Sequence, residues 1–327
     1  METKITRRRA LLGLGASFAA FSLLACGDDD DGATEEGPYG GDGGHTDPAA
    51  DASTGMDAAR DAATEASTAT DASVLTGWAT GGVAAMTAKA SYPNPFTSAG
   101  TSCELTCEAT IGPCHTTSPL RVDVSNGWDG LPMRIAVRVV DASCTPVVGA
   151  LVEIWHTNYK GIYSGRISTM CNKDEVDRAD DYFRGYQVSD ADGVVYFDSV
   201  FPGWYSGRAV HIHLRVLKGS YQSADNAEAW NITQLLWDDQ LVKSIFADQP
   251  LYKDYGTPDT LLSADNVVGG ESDKTRITWD IAKMTDGAML ASKTLVLRSS
   301  LSEPACSLSG SGGGGGGPGG GGPGGPP

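Results

Sequence analysis

Residues 204–213 read WYSGRAVHIH and run on so that residues 209–216 read AVHIHLRV. As a strand, this segment sends alternate side chains to opposite faces. Val210, Ile212, Leu214 and Val216 then make one apolar face, and His211 and His213 share the other. The chain has five histidines, and two of them stand here one residue apart, just after a tyrosine and an arginine. A lone histidine on a strand is ordinarily a polar residue on a half-exposed face. Two at spacing i, i+2 shift the reading towards metal.

The same alternation recurs along the chain. MRIAVRVV sets Met133, Ile135, Val137 and Val139 on one face, and ALVEIWHTN and GVVYFDSVF follow, separated by turn-rich stretches such as DADG and PGWYSG. Helical periodicity is weak, with WNITQLLWDDQLVKSIF (residues 230–246) the best candidate for a mixed or short helical stretch. Several short strands with Gly and Pro punctuation predict an all-β fold, a β-sandwich core with long loops. The sequence holds no internal repeat, no phosphate-binding glycine loop and no GxSxG.

Only part of the chain can build that core. Residues 27–75 are almost entirely Gly, Ala, Ser, Thr, Asp and Glu, and residues 308–327 are almost entirely Gly and Pro. Such compositions predict a disordered acidic tether and a disordered tail. Residues 76–307 remain as one domain. The formal charge of −17 divides unevenly: residues 27–75 hold 13 Asp or Glu against Arg60, a net of −12, and residues 1–26 contribute +3, which leaves −8 for the rest. An acidic domain without a basic stripe argues against nucleic acid as a partner.

The first 26 residues read as an address. TRRRALLGLGASFAAFSLLAC has a basic start, an apolar stretch from Ala10 to Ala25, and small residues before a cysteine. Leu23-Leu24-Ala25-Cys26 resembles a bacterial lipobox, which implies a lipid on Cys26 and a membrane anchor. Thr6-Arg7-Arg8 with Ala10-Leu11-Leu12 resembles a twin-arginine export signal, although Ala10 replaces the usual Phe; an ordinary secretory signal with a charged start is the competing reading. The protein is therefore expected to be exported and lipid-anchored to a bacterial membrane, on its periplasmic or cell-surface side. Six cysteines are left, Cys103, Cys107, Cys114, Cys144, Cys171 and Cys306. In an exported domain they suggest up to three disulfides, and about 15 pairings are open to them. The alternative, a metal cluster in Cys103-x3-Cys107-x6-Cys114, matches no common zinc spacing.

The chemistry-bearing residues gather around the opening stretch. ALVEIWHTNYKGIYSG supplies Tyr163 and VFPGWYSGRAVHIHLRV supplies Tyr205, each followed by Ser-Gly, and the second run continues to Arg208, His211 and His213. Taken singly, each tyrosine is a loop residue that packs its ring and wets its hydroxyl. Together, two phenols and two imidazoles form an N2O2 set. A phenol of pKa about 10 ionises at neutral pH only beside a strong cation, which points to Fe(III) rather than Zn(II).

With these residues, the chain resembles the intradiol aromatic-ring-cleavage dioxygenases, the family of catechol 1,2-dioxygenase and protocatechuate 3,4-dioxygenase. The resemblance is carried by ExWHxNxxGxYSG from Glu153 to Gly165, DADGVVYFDSVFPGWY from Asp190 to Tyr205, RxxHIH from Arg208 to His213, and Thr233-Gln234-Leu235-Leu236. Gly112-Pro113, after Glu108 and Thr110, is similar to the family's TEGPY stretch. The resemblance implies that Tyr163, Tyr205, His211 and His213 bind a non-haem Fe(III), that Arg208 lies beside it, and that Gln234 lies near the substrate. It further implies that a catechol-type diol and O2 are the substrates and a muconate-type diacid the product, with Arg208 stabilising charge on the ring. Arg208 stands three residues from His211, so a continuous strand would put it on the opposite face, and a bend or bulge is expected between them. Two departures from the long cytoplasmic members, the two-residue gap between Tyr205 and Arg208 and the lack of a helical N-terminal dimerisation region, bring the pattern closer to exported members. The competing readings are a surface lipoprotein that binds iron and catecholates without turnover, and a structural sandwich whose site has decayed.

Overall fold

The computed structural model describes residues 76–97, 103–165 and 168–308. The export signal with Arg7, Arg8 and Cys26, the acidic stretch 27–75 and the glycine-rich end from residue 309 lie outside the described residues. Eight strands alternate with loops: β1 Pro132–Asp141, β2 Leu151–Trp155, β3 Arg184–Val188, β4 Val194–Val200, β5 His211–Leu217, β6 Asn231–Leu236, β7 Asp280–Lys283 and β8 Met289–Leu297. They form two four-stranded sheets, ordered β4-β1-β8-β7 and β3-β2-β5-β6. All neighbours are antiparallel except β1 and β8, which run parallel with Met133 opposite Met289.

The period-2 pattern explains how the sheets meet. Met133, Ile135, Val137 and Val139 of β1 and Ile212, Leu214 and Val216 of β5 are fully enclosed in one core cluster, joined by Val152 and Ile154 of β2 and Phe197 of β4. Each side chain so enclosed contributes roughly 1.5–3 kcal/mol. The fold is thus the expected β-sandwich, with apolar faces from both sheets turned inward.

The 230–246 stretch divides where its sequence changes character. Residues 231–236 alternate and form β6, and Asp238 then caps α1, Asp239–Asp248, by accepting from the backbone N–H of Gln240 and Leu241. Leu241, Val242, Ile245 and Phe246 of this helix pack into the main core. A short second helix, α2 at Pro250–Tyr255, follows with proline in its first turn.

All six open cysteines pair: Cys103 with Cys144, Cys107 with Cys306, and Cys114 with Cys171. The alternative of a metal cluster in residues 103–114 is thereby overturned, because each of its sulfurs is bonded to a different distant partner. The three bridges instead pin one irregular segment of chain to three places on the sandwich.

Candidate metal centre

The centre of the second sheet is buried on both faces; every residue of β2 and of β5 is buried. Its outer face is polar and is covered by loop residues 110–118, 161–165, 168–172, 204–208, 221–225 and 260–268. Register dictates what meets on it. Trp155 stands opposite His213, Glu153 opposite Arg215, and Gln234 of β6 opposite His213 from the other side. The Trp155 and His213 rings stack at 4.8 Å and 9°. His156 points to the other face, where its ring reaches Thr157 O and Ser199 Oγ at 2.8 Å each, and takes no part in the centre.

The four side chains singled out by sequence converge. Tyr163 Oη lies 3.2 Å from His211 Nε2 and 3.1 Å from His213 Nε2, and Tyr205 Oη lies 3.2 Å from His211 Nε2. Tyr163 and both histidines are buried, and Tyr205 is only half-buried. Gly161 makes the first tyrosine's loop possible: at φ 70° its Cα faces Trp204 O so closely that a Cβ would sit 1.9 Å from that oxygen. Tyr163 is then held by Asn172 Nδ2, which donates to its carbonyl at 2.6 Å, and by Arg184, whose guanidinium donates to Ser164 O at 2.6 Å and Cys114 O at 2.8 Å.

His211 Nδ1 donates to Ala209 O at 2.7 Å, which leaves a single lone pair on Nε2. Both tyrosine hydroxyls and Arg208 Nη1, at 3.5 Å, stand around that atom, and Tyr163 Oη reaches His213 Nε2 as well. The spacing fits a cation at the common point, because bonds of about 2.0–2.1 Å to four ligands set neighbouring ligand atoms roughly 2.9–3.4 Å apart, and the observed separations are 3.1–3.2 Å. Among the described residues no three His, Cys, Asp or Glu side chains come together as a metal site. The phenols are therefore indispensable to this one.

Electrostatics agree with that need. Burial, followed by the adjacent Tyr205, pushes the Tyr163 phenol well above its ordinary value; burial also raises Tyr205, although Arg208 opposes it. Burial, followed by Arg208, pushes His211 down to about 3, and burial with His211 beside it holds His213 far below the usual range. Both imidazoles are thus held neutral with Nε2 turned into the cluster, and both phenols need a strong cation before they ionise.

Arg208 reaches the centre through the expected break in the chain, a bend at Val210 just before His211. β5 begins only at His211, and Tyr205–Arg208 is a tight turn closed by Arg208 N donating to Tyr205 O at 3.2 Å, so strand alternation does not govern the arginine. Its Nε donates to Asp265 Oδ2 at 3.0 Å and its Nη2 to Gln234 Oε1. Burial works against the charge on Arg208, but Tyr205 and Asp265 outweigh it and raise the guanidinium above its ordinary value. Burial likewise raises Asp265, yet Arg208, His211 and the N–H groups of Val267 and Val268 win and hold its carboxyl low.

Gln234 stands directly behind Arg208, one of the residues that line the cavity beside the cluster. It is fully enclosed, does not line the cavity beside the cluster, and bridges Arg208 to Thr110 O, to which its Nε2 donates at 2.7 Å. Its side chain positions Arg208 and the loop at the cavity mouth. The cavity itself, about 290 Å³, opens over Tyr163, Tyr205, Arg208 and His213, with Met170 and the Cys114–Cys171 bridge as further wall. That volume suits one small aromatic ring.

Asp265, Glu153, Arg215 and His115 are site-supporting residues that the opening pattern left unread. Arg215 and Glu153 were accessible to it, since Arg215 continues the His211, His213 alternation and an arginine on a buried face demands an acid. Asp265 sits in a loop 57 residues from its partner, and nothing in its local sequence signals the pairing.

Known proteins share this arrangement of sequence and fold. The family described as Dioxygenase matches residues 114–282, which is just over half of the chain and includes Tyr163, Tyr205, Arg208, His211, His213 and Gln234. Catechol 1,2-dioxygenase 1 of Acinetobacter lwoffii is 27% identical over 137 residues, 36% of this chain and 42% of that protein. Chlorocatechol 1,2-dioxygenase of Rhodococcus opacus is 29% identical over 126 residues, 32% of this chain and 44% of that protein. The chain thus matches less than half the length of these curated relatives. The solved structure of an intradiol ring-cleavage dioxygenase from Tetranychus urticae is similar with a TM-score of 0.50 and 26% identity, covering 60% of this chain and 95% of that one. The matched span holds the sandwich strands β2 to β6 and the N2O2 cluster together, and the chain belongs to the intradiol ring-cleavage dioxygenase family.

Proposed function

We propose that this protein is a non-haem Fe(III)-dependent dioxygenase that cleaves a catechol between its two hydroxylated carbons, with O2, to a muconate-type diacid. The observation that carries the reading is the convergence of two phenols and two neutral imidazoles on one point at the floor of a ring-sized cavity. Tyr163, Tyr205, His211 and His213 would hold the ion. When bound, Fe(III) supplies the Lewis acidity and electron withdrawal that make a chelated diol reactive towards O2.

The chain's own groups divide the remaining work. A catechol must lose its hydroxyl protons to chelate, and the half-buried Tyr205, on the cavity side of the cluster, offers Oη as the acceptor of one of them. Tyr163 is better suited to permanent ligation, being enclosed and tied by Asn172 and Arg184. Arg208, locked by Asp265 and Gln234, presents a fixed positive charge beside the site where negative charge grows on the ring. The apolar cavity wall keeps water from the reacting ring.

We infer further that the protein is exported and anchored through lipid on Cys26. Three disulfides among the described residues support an oxidising compartment. The test of the whole reading is to purify the protein, measure bound iron, record the visible tyrosinate-to-iron band and follow O2 uptake with a panel of catechols. Stoichiometric iron, colour and uptake are expected. A colourless zinc protein sinks the assignment, and a coloured one that binds catechols without consuming O2 leaves the iron and catecholate-binding reading in its place.

A further inference from the structure

The proposed catechol chemistry leaves open which ring substituents the cavity accepts, and its walls answer that. Among the described lining residues Arg208 is the only charged side chain. It is already engaged, with Nε on Asp265 and Nη2 on Gln234, and Nη1 turned to His211. The polar mouth residues Thr110 and Asn266 are exposed, whereas the wall within is the Cys114–Cys171 bridge, half-buried Met170 and half-buried Val267. This wall offers sulfur and methyl groups to whatever the ring carries opposite its hydroxyls.

From these contacts we propose that the cavity selects catechols with uncharged, apolar ring substituents and rejects ring carboxylates, Met170 and Val267 being the residues that set this preference. The inference rests on the catechol-cleaving reading above. A carboxylate against this wall loses its water, and the one charged group among the described lining residues, Arg208, is already engaged with Asp265 and Gln234, so its burial there is costly. An alkyl or halogen substituent at the same position loses no hydrogen bond and gains contact with polarisable sulfur. The net charge of −8 outside residues 1–75 acts in the same direction at longer range, since it repels anionic ligands before they reach the mouth.

The test uses a matched pair of ligands, 4-methylcatechol and 3,4-dihydroxybenzoate, which differ only at one ring position. Binding to the iron-loaded protein is read without O2 from the shift of the visible band, and kcat/KM is read from O2 uptake. A preference of at least about 100-fold for the methyl compound is expected in both readouts. Met170→Arg, which places a cation on the wall outside the N2O2 set, should narrow the preference by about 10-fold or more. Comparable binding of the two ligands, within about threefold, overturns this inference and leaves the catechol reading intact. A native preference that Met170→Arg does not move overturns the assignment to this wall. Failure of both ligands to bind a protein with full iron content overturns the inference together with the catechol reading.

Discussion

Glu153→Gln probes the polar face that carries the histidines. The carboxylate is fully buried and accepts from Arg215 Nε at 2.8 Å and Tyr221 Oη at 2.8 Å, with His115 Nε2 3.2 Å from each oxygen. The amide keeps the shape but turns an N–H2 group towards one of these donors and leaves Arg215 without its counter-ion. Removing one partner of a buried pair costs about 3–5 kcal/mol. Arg215 retains Ala224 O at 3.0 Å and Gln222 O at 2.6 Å, which puts the expected loss near the lower end, about 3 kcal/mol. Urea titration of the metal-free protein at neutral pH, followed by tryptophan fluorescence, measures it. Acid provides an internal control. Burial raises the Glu153 carboxyl, but His115 and Arg215 outweigh burial and its folded pKa is depressed. Its contribution is therefore complete above the unfolded value of about 4.3 and is lost as pH falls through the lower folded value. The gap between wild type and Glu153→Gln should be constant from neutral pH to about 5 and should shrink only below about 4. A loss under about 1 kcal/mol at neutral pH, or a gap that does not shrink in acid, would refute the reading of this network as a buried, charge-paired support.

Other outcomes follow from the centre and the N-terminus. His213→Ala and His211→Ala should each lose iron, read by metal analysis, with the far-ultraviolet circular dichroism of the sandwich unchanged. Arg208→Ala combined with Asp265→Asn, which avoids an unpaired buried carboxylate, should keep iron and colour while kcat falls by about 10²–10³. Gly112→Ala should weaken iron binding, because at φ 74° the added Cβ would sit 3.0 Å from His213 Cε1 and press on that ring. Cys26→Ser should move the protein from membrane pellets to the soluble fraction, since an acidic tether has no affinity of its own for lipid.

How much of this was legible depended on whether an interaction was local in sequence. The alternation of AVHIHLRV fixed which residues of β5 face the core and which share a face with His211, because a strand's period needs no partner to be read. The N2O2 set was legible because its four residues lie in two short runs. The break before His211 was legible from spacing alone, since Arg208 three residues away needs a bend to share a side with the histidines, and the bend falls at Val210 after the turn from Tyr205. Gln234 is bonded to Arg208 of the cavity lining, a contact across 26 positions that its local sequence does not announce. The cysteines announced bridges but not pairings, since only tertiary proximity separates Cys171 from Cys306 as a partner for Cys114. Asp265 was invisible for the same reason.

The parallel pairing of β1 with β8 has a kinetic consequence. Met133 meets Met289 at a sequence separation of 156 (289 − 133), a closure whose entropy is about 4–5 kcal/mol by the logarithmic rule. β8 is also central, with β1 on one side and β7 on the other, so the first sheet has a gap in its middle until residue 297 exists. The sheet bearing His211 and His213 is assembled from residues 151–236 alone. During synthesis its four strands can associate while Ile212, Leu214 and Val216 still face water, and the contact order of the whole domain makes the closing step slow. The interval between these two events is when the nascent chain is most prone to aggregate, and the strand that ends it, β8, begins only at Met289, well beyond His213 in the chain.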